Sequence, residues 1–142
     1  MTRFFLLLFV LTLPIHVFSR SESEAGPHGG YIKMPGAFHV ELVPISKERL
    51  QFYLLDMDFK NPTIEKSSVQ VRWRRNGQAK SLLCYSKKIN FECVLPKELG
   101  LKKFVEIEVL STRNETTGAF VKYPFPFRHS FNEALDEEDS EN

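Results

Sequence analysis

Polar and apolar residues alternate along most of this chain, in short runs broken by turn residues. Val69, Val71 and Trp73 alternate with Gln70, Arg72 and Arg74, and Val105, Ile107 and Val109 alternate with Glu106 and Glu108. A period of two puts alternate residues on opposite faces of a strand. Read this way, the chain predicts strands over 30–34, 37–43, 49–55, 68–75, 80–85, 91–95, 103–110 and 118–123. Turn residues separate them: Pro35-Gly36, Asn61-Pro62, Asn76-Gly77 and Arg113-Asn114. Asn76-Gly77, between Arg75 and Gln78, is the strongest two-residue hairpin signal. A helical turn is expected only around 96–99. Short strands at this spacing predict an all-β fold. The expectation is a single antiparallel β-sandwich, immunoglobulin-like, of seven or eight strands.

The first hairpin carries the most polar chemistry. Met34-Pro35-Gly36-Ala37 reads as a type II turn, with Pro setting φ at the first central position and Gly supplying φ > 0 at the second. In simple register Met34 faces Ala37, Ile32 faces His39, Gly30 faces Glu41 and His28 faces Val43. Cross-strand partners share a face. His28, Met34, His39 and Glu41 therefore share one face, and Phe38, Val40 and Leu42 take the other. Gly30, opposite Glu41, opens space over the carboxylate. Two imidazoles, a carboxylate and a thioether on one face form a candidate metal site. A His/Met mixture suits Cu(I) or Ag(I), and His with carboxylate suits Cu(II) or Zn(II). Each residue also has an ordinary reading, as a leader residue in water, a turn contact or an exposed strand face.

The N-terminus changes the compartment. Arg3 precedes an apolar run from Phe4 to Leu13, Pro14 ends it, and Val17-Phe18-Ser19 suits signal peptidase. The run is too short for a transmembrane helix. The expected organisation is a signal peptide over 1–19, a flexible leader over 20–27, the β-sandwich over 28–130 and a disordered acidic tail over 131–142. The mature chain is expected to be periplasmic or secreted, with no membrane span. The whole chain holds 19 Lys+Arg and 18 Asp+Glu. Six of the acids lie between Glu133 and Glu141, so the body is basic and the tail acidic. A basic body can bind an anionic partner; the plainer reading is a solvated surface with a solubilising tail.

Cys84 and Cys93 are the 2 cysteines. An even pair in an exported chain points to a disulfide. A two-residue turn at Lys88-Ile89 sets Cys84 directly opposite Cys93, at the separation a bridge needs. A soft metal site or redox pair lacks the CxxC spacing.

Catalysis has no support in the motifs: there is no GxSxG, HExxH or Gly-rich phosphate loop. His129-Ser130 stands outside any motif, and Asp56 and Asp58 read as solvated acids near a turn. No enzymatic activity is expected. Arg72, Arg74 and Arg75 flank Trp73, a combination that can bind nucleic acid. Trp73 shares its phase with Val69 and Val71, however, so it should face the core, and no nucleic-acid partner is expected.

Pro27-His28-Gly29-Gly30, His39-Val40-Glu41-Leu42 and Phe52-Tyr53-Leu54-Leu55-Asp56 together resemble a family of small exported bacterial β-domains with an HGG…HVE…YLLD pattern. Similar domains are associated with periplasmic adaptors of heavy-metal (copper/silver) efflux pumps. The resemblance covers about residues 27–75 and implies a periplasmic β-sandwich that handles metal. The matching residues are His28, Gly29, Gly30, His39, Glu41, Tyr53, Leu54, Leu55 and Asp56. On that basis the expected function is a periplasmic, non-enzymatic metal-binding or metal-efflux accessory protein. A copper-type ion is the first candidate cofactor, and an efflux system or other envelope protein the expected partner. The alternative is an exported interaction module that binds a protein or envelope polymer without metal.

Overall fold

The computed structural model describes residues 25–99 and 105–125. The expected signal peptide, most of the leader, His129-Ser130 and the acidic tail lie outside these residues. The described part is all β, in two antiparallel sheets of five strands each. The strands are β1 (Tyr31–Lys33), β2 (His39–Ser46), β3 (Arg49–Leu55), β4 (Ser68–Arg75), β5 (Gln78–Ser81), β6 (Leu83–Ser86), β7 (Phe91–Val94), β8 (Val105–Arg113), β9 (Thr116–Thr117) and β10 (Val121–Phe125). The first sheet runs β1-β2-β3-β7-β6. The second runs β10-β8-β4-β5, with β9 on β8. The strands outnumber the seven or eight expected because the run predicted over 80–85 is split in two and β9 is a short addition. None of the described residues forms a helix long and apolar enough to cross a membrane.

Alternation builds the core. Val40 and Leu42 of β2 and Leu50, Phe52 and Leu54 of β3 bury against Val71, Ile107, Val109 and Tyr123 of the other sheet. The Tyr123 hydroxyl donates to the Val40 carbonyl across the core at 2.8 Å. That satisfies a polar tip that would be costly to bury alone. The β4–β5 turn is as predicted. Arg75 pairs with Gln78, and Asn76 and Gly77 both have positive φ. Pro124 is tolerated because β10 is an edge strand.

Three expectations need correction. The first is the leading hairpin, which is wider than a two-residue turn. Tyr31 pairs with Leu42, Ile32 with Glu41 and Lys33 with Val40. The reason is packing at the loop. Phe38 drops into the core, only 2% exposed, and the Pro35 carbonyl accepts from Ala119 N at 2.8 Å. A shift of two residues keeps every side chain on its predicted face, whereas a shift of one would not. Second, the run predicted over 80–85 is two strands. The Leu82 amide makes a last rung to the Val71 carbonyl, and the chain then crosses to the other sheet. Third, 96–99 is a turn closed by Leu99 N to Pro96 O and not a helical one.

Candidate functional site

Glu41 is the centre of the polar signature. It lies on the β2 face turned away from the main core, yet it is fully buried. Two loops make this so. Residues 26–30 turn back on themselves, with Gly29 N donating to Gly26 O and Gly26 N to Gly30 O. This loop lays His28 over Glu41. The amides of His28 and Gly30 both donate to Glu41 Oε1 at 2.9 Å. His28 Nδ1 lies 2.7 Å from Oε2. The imidazole also stacks on Tyr53, ring centroids 3.7 Å apart and 7° from parallel. The glycines are required by contact: a Cβ on Gly26 would strike the Glu41 carboxylate, and one on Gly30 would strike the Leu42 carbonyl.

His39 is held separately. Its Nδ1 lies 3.0 Å from the Asp56 carbonyl. A carbonyl only accepts, so Nδ1 carries the proton. The ring stacks on Phe59, which with Val43, Tyr53 and Leu55 forms a second small apolar cluster. Tyr53 leans the other way, its hydroxyl donating to Gln51 Oε1. His28 is thus seated on Tyr53, and His39 on Phe59 beside the turn at Asp56. Met34 is 56% exposed, in the loop after β1. So the structure brings His28 and Glu41 together, and it carries His39 and Met34 elsewhere. Among the described residues, no group of three or more His, Cys, Asp or Glu side chains is placed to hold a metal ion.

Asp56 closes its own turn. It accepts from the Asp58 and Lys60 amides and from the Asn61 side chain. The Lys60 amide bond leads in holding its carboxyl below the usual range. Each residue of the HGG…HVE…YLLD pattern thus has a structural task, either in the core or in fixing the two loops that cover this sheet face.

No protein-family model matches this chain, and no curated protein or solved structure is significantly similar to it.

Cys84 and Cys93 pair directly across β6 and β7 and form a disulfide. That bond fits an oxidising compartment. It staples a hairpin whose outer face is apolar and exposed: Leu83 is 61% exposed, Tyr85 50% and Val94 39%. Leu83 sits opposite Val94, and Tyr85 opposite Glu92, so the strip is continuous on one side of the hairpin. β6 is the last strand of its sheet. Natural edge strands are normally blunted with charge, proline or a bulge. Here a long apolar side chain and a tyrosine occupy the outer positions instead.

On the outer face of the other sheet Glu108 is buried under three cations. Arg72 and Arg74 donate from Nε to its two carboxylate oxygens, and Lys122 Nζ lies 3.7 Å away. The hydrogen bond from Arg74 leads in holding its pKa down at about 2, against the opposing effect of burial. Sequence reasoning missed this centre. The alternation marks Arg72, Arg74 and Glu108 as outward-facing, but only the β4–β8 register shows that they meet. The exposed strip on β6 and β7 was missed too, although Leu83, Tyr85 and Val94 have the phase opposite to the two cysteines.

Proposed function

We propose that this chain is an exported, non-enzymatic β-sandwich interaction module that binds a protein of the cell envelope through its β6–β7 edge. The observation that carries this reading is the exposed strip of Leu83, Tyr85 and Val94 on a disulfide-stapled edge hairpin. Exposed apolar side chains grouped at one edge are a docking feature. The strand orders support an immunoglobulin-like reading. Taking β2, β3, β7 and β6 as A, B, E and D, and β10, β8, β4 and β5 as G, F, C and C′, reproduces that sandwich. Modules of this class act through edges and loops presented on a rigid scaffold.

The test places charge on the strip. Leu83→Lys with Val94→Lys should leave the melting temperature within about 2 °C, since both side chains are already exposed. Chemical cross-linking in intact cells should then lose the envelope adduct seen with the parent protein. An adduct that persists unchanged in the double variant overturns the reading.

A second reading, binding of a copper-type ion, is favoured by one observation. His28 Nδ1 is engaged by the Glu41 carboxylate, the outer partner that orients metal-ligating imidazoles and leaves Nε2 to bind. In this reading Glu41 positions the ligand and does not itself ligate. Calorimetric titration with Cu(I), Cu(II), Ag(I) and Zn(II) tests it. Binding that His28→Ala abolishes supports it, and the same binding in that variant overturns it.

A further inference from the structure

β4 has an unpaired half. β8 covers one side of it from Ser68 to Arg74, but β5 covers the other only from Arg72 to Arg75. The last rung on that side is Leu82 N to Val71 O, at 2.8 Å. In an antiparallel ladder the backbone groups of alternate residues point to the same side. Val69 therefore turns its N–H and C=O past the end of β5, where no strand of the described residues lies. The opposite wall is β6. Lys87 N donates to Asn90 O, which sets the phase of the β6–β7 ladder. By that phase Leu83 and Tyr85 bond to β7, and Cys84 and Ser86 turn their backbone groups outward.

Between the two walls is an open cleft of about 460 Å³, with Val69, Val71, Leu82, Leu83 and Phe120 on its lining. The one ionic side chain on the lining is Arg72, which lies over the Phe120 ring at 5.1 Å. Lys80, Lys87 and Lys88 flank the edge. None of the three is in an ion pair with a described carboxylate, and no Asp or Glu lines the cleft.

We propose that this cleft takes an extended segment of the partner protein as an added strand along the free half of β4. Its side chains alternate apolar and acidic. Inward residues pack on Val69 and Leu82, and outward acids meet Arg72, with Lys87 and Lys88 at the end of β6. Main-chain bonds to Val69 give affinity, and the alternate pockets give selectivity, as in other strand-addition complexes. A second copy pairing through β6 (Leu83–Ser86) brings no acid to Arg72 or the flanking lysines, so it is not the occupant. The proposal rests on the interaction-module reading and names where and what that module binds.

The probe is an acetylated heptapeptide of alternating valine and glutamate, with an alternating valine–lysine peptide as its control. Each is titrated into isotope-labelled full-length protein and followed by fluorescence anisotropy and amide chemical shifts. The glutamate peptide should bind about tenfold or more tightly than the lysine peptide, with its largest shift at the Val69 amide. Val69→Pro removes a donor that β8 does not use, so it should weaken binding by about tenfold or more while the fold persists. Should that variant fail to fold, Leu83→Glu, at an exposed position, makes the same test by charge. Equal affinity for the two peptides, unchanged binding by these variants, or peptide-linked dimerisation in sedimentation overturns the proposal. Shifts confined to Tyr85 and Val94 overturn the cleft and leave the interaction module standing. No binding at millimolar peptide overturns the cleft, and it counts against the module only if the Leu83→Lys, Val94→Lys variant also keeps its envelope adduct.

Discussion

His28 reaches back over 13 residues of chain to place its Nδ1 2.7 Å from the buried carboxylate of Glu41. The same carboxylate takes the amides of His28 and Gly30. One side chain thus anchors a loop by three bonds, and the stacking of His28 on Tyr53 seals it from water.

This clamp should be costly to break. Glu41→Ala leaves one buried amide, one part-buried amide and an imidazole without their acceptor and opens a void. The expected loss is about 3 kcal/mol or more. His28→Ala removes a partner that is 29% exposed and one of the three bonds, and should cost about 1–2 kcal/mol. Urea unfolding of both variants checks the order. Equal losses would mean that the amide bonds contribute nothing.

Gly30 of this loop and Gly36, between β1 and β2, separate by what they touch. Gly30→Ala meets the Leu42 carbonyl, which belongs to a packed strand and cannot yield. It should cost about 2 kcal/mol or more. Gly36→Ala meets nothing closer than the Gly118 Cα at 4.0 Å and should be near neutral. Melting curves of the two variants test the difference.

The charge cluster on the second sheet predicts an acid limb. The folded-state pKa of Glu108 is about 2, below the 4.5 of a glutamate free in water. A depressed pKa gives stability that is full above the unfolded value and is lost as pH falls through the folded one. Unfolding free energy should therefore fall between about pH 4.5 and pH 2 in part through Glu108, whose salt links are to Arg72, Arg74 and Lys122. Glu108→Gln should be less stable than the parent at pH 7 and should show a shallower decline over that window. Parallel curves for the two proteins would count against the assignment.

The disulfide joins cysteines with a sequence separation of 9. Loop entropy alone assigns it about 2.5 kcal/mol. Reduction, or Cys84→Ser with Cys93→Ser, should lower the urea midpoint accordingly. Labelling of the unreduced protein should find no free thiol at either position.

Which parts of this account were legible beforehand follows from distance along the chain. The faces of β2 were readable, because period-two alternation of His39, Glu41 and Val43 against Val40 and Leu42 needs no partner. The opposition of Cys84 and Cys93 was readable from mirror spacing about Lys88 and Ile89. The burial of Glu41 was not. A polar strand face reads as solvent-exposed, and what covers this one is a loop from residues 26–30 and Phe59 from the turn after β3. The hairpin register was not readable either, because the loop is widened by contacts with Ala119, far away in sequence. The break at Leu82 was hidden for a similar reason: 80–85 is a plausible strand, and only the end of pairing with β4 divides it.

On the proposed reading this protein acts through its β6–β7 edge, and its polar signature is internal support. A photo-reactive phenylalanine placed in turn at Tyr85, Met34 and Lys66, all exposed, tests this in intact cells. Position 85 should give one discrete adduct with an envelope protein, and positions 34 and 66 none. An adduct from position 34, in the loop after β1, with none from position 85 would contradict it.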